Sequence, residues 1–200
     1  MPVVVLAALP AWDGVRSQRR QWRHADNLPR IRATRLMTAI QIRPATASDV
    51  QAIVRIESET VVALGHAPTD AAKRLAHWKD AIAFGEPQLQ VAVDGGAVVG
   101  FVGYDRSRDP RTPPTMGELW AIHVPASHQG RGVGLALWDA AREGLVEEGC
   151  THVSIWIELA SERALRFHEL AGFKRDMPSL RTVARGARRV EEIRLKRSVS

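Results

Sequence analysis

The sequence predicts an α/β protein, of the α+β kind in which one central mixed β-sheet is flanked by helices, and three observations carry that expectation. Two alternating apolar runs flank Asp94-Gly95-Gly96, which has the turn chemistry of a tight antiparallel hairpin. The later order strand, glycine-rich loop, helix, strand over residues 117–157 requires a parallel crossover, so a sheet holding both is mixed. Two hundred residues, 45% apolar and 25% charged, supply one core and leave no room for a second independent domain.

Residues 1–38 show no sustained period and are broken by Pro10, Gly14 and Pro29, so they are expected to form a basic arm outside the body, residues 39–200. Met37, directly before the first strand, is an alternative start of translation. Ala39–Arg43 reads as an edge strand closed by Pro44. Thr46 to Asp49 opens an amphipathic helix carrying Val50, Ile53, Val54 and Ile56. A second helix spans Thr69–Phe84, capped by Thr69 or Asp70, with Leu75, Trp78 and Ile82 on one face. Strands Leu89–Val93 and Val98–Tyr104 form the hairpin. A polar loop, Arg106–Pro114, leads to the strand Gly117–Val124. A helix over Val133–Glu148 ends at Gly149, and Val153, Ile155 and Ile157 alternate along the next strand. Ser161 caps a helix with Ala164, Leu165 and Leu170, ended by Gly172. Phe173–Arg175 and Val190–Leu195 are the last strand candidates, joined by an arginine-rich loop, 181–189.

The net charge of +6 is lopsided: residues 1–36 hold seven arginines against Asp13 and Asp26, which leaves +1 on the remainder. A nucleic-acid surface on the body is therefore not expected. Cys150 is the only cysteine, which excludes an internal disulfide and fits a reducing, cytoplasmic setting. The apolar stretch Val3–Leu9 is too short to cross a bilayer, and no membrane association is expected. His66, His77, His123, His128, His152 and His168 show no metal-ligand spacing, so no metal is expected.

The segment QGRGVG, residues 129–134, stands between a strand and a helix start. Bare glycine backbone and the unpaired amides of a first helical turn suit a phosphate or pyrophosphate, although a flexible surface turn has the same letters. A P-loop requires Lys then Ser or Thr where Leu135 and Ala136 stand. A dinucleotide fold is a closer rival, but Leu135 occupies its third glycine position, and Glu158 lies 28 residues beyond Gly130 rather than about 20.

Gln129, Gly132 and Gly134 match the pattern Gln or Arg, two residues, Gly, one residue, Gly or Ala. SERALRFHELAGF, residues 161–173, matches a second pattern, Asn-x-x-Ala-x-x-x-Tyr-Glu-x-x-Gly-Phe, at Ala164, Glu169, Gly172 and Phe173. On these residues the chain resembles the GNAT N-acetyltransferase family over roughly residues 40–197. The resemblance implies acetyl-CoA as cosubstrate and a small-molecule or peptide amine as acceptor. It implies that the strand through Ile122, His123 and Val124 splays from its parallel neighbour and pairs with pantetheine. Amides of Gln129, Gly130, Arg131, Gly132, Val133, Gly134 and Leu135 would then hold the pyrophosphate, with Arg131 adding charge. Ser161 stands where the family has asparagine, and His168 where it has tyrosine.

Transfer to an amine needs a base, because holding a lysine-like amine neutral at pH 7 costs about 4.6 kcal/mol. Glu118 is the first candidate and Glu158 the second, while His168 as an imidazolium would protonate the departing thiolate. Trp78, Trp120, Trp138 and Trp156 read as packing residues, Trp120 being the one that could face an acceptor. A non-catalytic acyl-CoA-binding module is the competing function. The acceptor and the oligomeric state, a homodimer included, are not encoded in any motif.

Overall fold

The computed structural model describes residues 40–68, 70–110, 112–185 and 188–199. The basic arm, Met37 and Thr69 as a cap lie outside the described residues.

The chain opens with β1 (Gln41–Pro44), a 3-10 turn at Ala47–Asp49, α1 (Val50–Ala63) and α2 (Ala71–Phe84). The Asp49 carboxylate accepts from Thr46 N (2.8 Å) and Thr46 Oγ1 (2.9 Å), which fixes the helix entry. Arg43 reaches the same carboxylate through both Nη atoms (2.7 and 2.8 Å). This pairing is the main cause of an Asp49 pKa of about 2. The carboxylate of Asp70 caps α2 by accepting from Ala72 N (3.0 Å) and Lys73 N (3.2 Å).

Next come β2 (Gln88–Asp94) and β3 (Ala97–Arg106), paired antiparallel. Asp94 opposes Ala97, and Gly95 and Gly96 take φ of 58° and 85°, so both central turn positions use the conformation that glycine tolerates best. β4 (Met116–His123), α3 (Val133–Glu147) and β5 (His152–Glu158) make the expected parallel crossover. α4 (Glu162–Leu170), β6 (Lys174–Arg175), β7 (Arg181–Arg185) and β8 (Arg188–Ser198) complete the fold. The described residues form an eight-stranded sheet ordered β1-β2-β3-β4-β5-β8-β6, with β7 also pairing β8. Every pairing is antiparallel except β4–β5.

One expectation is corrected. The arginine-rich loop at 181–189 is largely strand: β7 pairs β8 from Arg181↔Glu192 to Arg185↔Arg188. Charge hid it, because an edge strand needs no alternation of apolar with polar residues when cross-strand ion pairs supply the contacts. Other boundaries shift by one or two residues, the ordinary uncertainty of element ends, except that β8 runs three residues past Leu195 to Ser198.

Each face of the sheet has its own core. α3 lays Val133, Leu137, Trp138, Ala141 and Leu145 on Leu119, Ile122, Val153, Ile155 and Ile157. On the other face, Ile53 and Ile56 of α1 and Trp78 of α2 pack on Val91, Phe101 and Ala121, so the cluster takes in β2 to β4 and no residue of β5 or β8. α1 and α2 thus leave the β5 end of this face without a helix, and the site lies there.

Candidate functional site

β4 and β5 pair over three residues only, Met116↔His152, Gly117↔Val153 and Glu118↔Ser154. Both strands continue, β4 to His123 and β5 to Glu158, without further pairing to one another. Main-chain groups of β4 that face β5 beyond Glu118 therefore have no sheet partner on that side, as the splay expected at Ile122, His123 and Val124 requires. β4 also carries an extra residue, Trp120, between the pairs Tyr104↔Leu119 and Gly103↔Ala121. This bulge bends the strand at the point where it leaves β5.

At the open end lies the glycine segment. Gln129 donates through Nε2 to Val124 O (2.8 Å), bracing the loop against the end of β4, while its buried Oε1 has no partner. Gly132 is the N-cap of α3 at φ 83°, with no side-chain cap on the helix. A Cβ at Gly132 would meet no heavy atom within 4 Å, so glycine is required there by backbone conformation. Amides of the first turn, at Val133, Gly134 and Leu135, lack intrahelical acceptors by helix geometry. They adjoin a cleft of about 490 Å³ lined by Val124, Gln129, Gly130, Gly134, Leu135 and, across it, α4. An anion fits this end electrostatically and by donor supply.

Arg131 is turned elsewhere. Its Nη2 donates to Asp94 Oδ2 (3.1 Å) on the hairpin turn, so it is not among the residues lining the cleft. Ser161 occupies the N-cap of α4, yet its buried hydroxyl makes no capping bond and has no partner. The hydroxyl is free to meet a ligand or water.

His168 is fully buried between Phe167 and Phe173, edge to face at 4.9 and 5.2 Å. Its Nδ1 lies 2.9 Å from Ala164 O, which can only accept, so Nδ1 carries the proton and Nε2 is a bare acceptor without a partner. Burial lowers its pKa to about 4. The imidazolium expected from the sequence is therefore not the form held at neutral pH, because the site offers no counter-charge for it. His123, also fully buried, stacks on Phe101 at 5.1 Å and meets Thr60 Oγ1 through Nδ1. Burial lowers its pKa to about 3. Its ring faces α1, so any contact to a ligand along the splay falls to its main chain.

Glu118 and Glu158 stand on the sheet face opposite α3, with Ser154 and Trp156, since alternate residues of β5 serve the α3 core. Ser154, Trp156 and Glu158 are buried there by loops and β7 rather than by a helix. Glu118 is half-buried. Burial first, and then the charge of Asp109, push its carboxyl above the ordinary range, and its side-chain hydrogen bond is from Ser107 Oγ (3.3 Å). Glu158 is more heavily engaged: His66 Nε2 lies 3.0 Å from Oε2 and Arg185 Nε 3.9 Å from Oε1. Across the strand, buried Glu192 is held by Arg181 (2.6 Å) and Arg185 (2.9 Å). Arg194 bridges Asp109 and Asp176 (3.1 and 3.0 Å), and Arg181 lies over the Trp156 ring at 3.5 Å. Arg181, Arg185 and Arg194 are thus paired with carboxylates inside the fold.

Sequence reasoning missed His66, Glu192 and the α4 residues that line the cleft. The first two sit far from any motif and meet only through folding. On α4, Leu165, Phe167 and Leu170 read as the packing side of an amphipathic helix, whereas Arg163 and Arg166 carry no signal in the sequence. Among the described residues there is no cluster of His, Cys, Asp or Glu able to hold a metal.

The model of the acetyltransferase (GNAT) family matches residues 51–173. The chain is 36% identical over 109 residues to a mycothiol acetyltransferase of Sanguibacter keddieii, a match covering 54% of this chain and 33% of that protein. The chain thus spans about a third of that relative's length. Among solved structures, an N-acetyltransferase from Staphylococcus aureus Mu50 superposes with TM-score 0.68 at 19% identity, over 80% of this chain and 99% of that one. A phosphinothricin acetyltransferase of Sinorhizobium meliloti, solved with AcCoA, gives 0.66 at 22%, over 81% and 89%. At these identities the two structures speak for the fold.

Proposed function

This chain belongs to the GNAT acetyltransferase family, and from that premise we propose that it transfers an acetyl group from acetyl-CoA to the amine of a small molecule or peptide. The observation that supports this best is a conjunction: an uncapped helix N-terminus behind a glycine loop, directly beside two parallel strands that part after three pairs. Amides of Gly130 to Leu135 would hold the pyrophosphate, and the freed edge of β4 at Ile122 to Val124 would pair with pantetheine. An N–H on that edge would also meet the oxyanion of the tetrahedral intermediate. The orphaned Ser161 hydroxyl and Gln129 Oε1 supply polar partners along the same path.

Glu118 is the base in this reading. Its carboxyl is the less engaged of the two and its pKa is shifted towards neutrality, which suits proton removal from an ammonium directly or through a water. Glu158, held by His66 near Arg185, shapes the acceptor end. His168, neutral at pH 7, is not the acid: the departing thiolate, from a thiol of pKa about 8.5, is a tolerable leaving group that solvent can protonate. The same neutral histidine favours the alternative of an acyl-CoA-binding module without turnover. Thiol release from acetyl-CoA across a panel of amines tests the proposal; CoA binding with no turnover on any amine would select the module.

A cytoplasmic setting accords with the single buried cysteine, Cys150, and among the described residues no helix is long and apolar enough to cross a membrane. Light scattering of the purified chain would decide between monomer and homodimer.

A further inference from the structure

Across from the glycine loop, the cleft is walled by one face of α4: Arg163, Arg166, Phe167 and Leu170, spaced i, i+3, i+4 and i+7. Two features of this wall are not explained by folding. Leu170 and, opposite it on α3, Leu135 are large apolar side chains left 64% and 52% exposed. Arg163 and Arg166 are exposed and, among the described residues, neither is paired with a carboxylate or placed over an aromatic ring. Neighbouring arginines differ: Arg131 is held by Asp94, Arg175 by Glu169, and Arg197 lies over Trp138. Glu162 is the one carboxylate lining this cleft, and two guanidiniums outnumber it.

We infer that Arg163 and Arg166 bind the ribose 3′-phosphate of CoA, with the adenine ring resting on Leu135 and Leu170. The inference rests on the cofactor reading above. Anchoring the pyrophosphate on the loop amides leaves the adenosine arm outside the β4–β5 splay, where the cleft continues between α3 and α4. That arm has a flat apolar ring and a dianionic phosphate joined through one ribose. The wall offers an apolar pair and two unclaimed guanidiniums, whose planar donor forks match phosphate oxygens. Arg163 and Arg166 thereby become specificity residues that separate CoA from analogues lacking the third phosphate.

Calorimetry on the full chain with CoA and with 3′-dephospho-CoA tests this. The wild type is expected to bind CoA about 10- to 100-fold more tightly, as loss of charge-assisted contacts implies. In Arg163→Gln/Arg166→Gln, CoA should weaken to the dephospho-CoA level, while dephospho-CoA changes by less than about two-fold. Both positions are exposed, so the variant is expected to keep its melting temperature. Equal wild-type affinity for the two ligands, or a preference that survives the double substitution, would overturn the inference and leave the cofactor reading standing. Loss of affinity for both ligands in the wild type would overturn both.

Discussion

Glu118 is half-buried, and that burial raises its carboxyl pKa. Glu118→Gln is expected to lower kcat/KM by about 100- to 1000-fold, the ordinary range for loss of a general base. In the wild type, activity should fall as pH drops through the raised pKa, because the base must be ionised, and the variant should lose that limb of the pH profile. Stability should respond with the opposite sign. The folded pKa lies above the unfolded one, so the native state binds more protons between the two, and stability declines as pH rises through that window. The glutamine variant should therefore melt slightly higher than the wild type at pH 7 while turning over more slowly. A variant with unchanged turnover would remove Glu118 from the mechanism. His123 and His168 titrate in the depressed direction, to about 3 and about 4. Their contribution is present above the unfolded pKa and is lost as pH falls towards the folded values. Going from pH 7 to pH 5 should cost roughly 2 kcal/mol for each, measured by urea unfolding of the wild type against single His→Phe variants.

Between elements, a buried polar junction joins α1 to α2. Glu57, 2% exposed, accepts from Arg74 Nε (2.8 Å) and Trp78 Nε1 (2.8 Å), and a second Arg74 nitrogen completes a two-pronged pair. One turn along α1, Thr60 meets His123 of β4, so this helix is tied to the strand that leaves β5. Glu57→Ala would leave Arg74 and the indole N–H unpaired and should cost about 3–5 kcal/mol in urea unfolding, whereas a surface change on α1 such as Arg55→Ala should cost under about 0.5 kcal/mol. At the loop before α3, Gly132→Ala adds a side chain to a backbone at φ 83° with free space around it. The expected stability cost is about 1–2 kcal/mol from left-handed strain, together with weaker CoA binding in calorimetry, because the new methyl group stands beside the amides that face the cleft. Loss of stability with unchanged CoA affinity would separate the loop from the ligand.

For the molecule as a whole, a ligand that bridges α3, α4 and the β4–β5 splay should couple to global stability, and CoA at about 100 times its Kd should add roughly 2.7 kcal/mol to unfolding. Much of the architecture was legible because local chemistry dictates it. Asp94-Gly95-Gly96 forces a hairpin, Thr46 with Asp49 and Asp70 start helices, and the order around QGRGVG requires a parallel crossover. The glycine turn and uncapped helix start at residues 129–135 were legible for the same reason, since they come from glycine φ angles and helix geometry within a single turn. Side-chain roles were decided by distant partners. Asp94 turned Arg131 away from the cleft, and burial between two phenylalanines changed His168 from a cation to a neutral acceptor. His66, Arg185 and Glu192 converged on Glu158 from three segments. The sequence by itself determined every element but β7, their order and the glycine turn before an uncapped helix start, all set within a few residues of chain. Only the tertiary structure decided which carboxylate is less engaged, that His168 is buried without a counter-charge and which arginines are unclaimed, because charge and desolvation depend on what folding brings within a few ångströms.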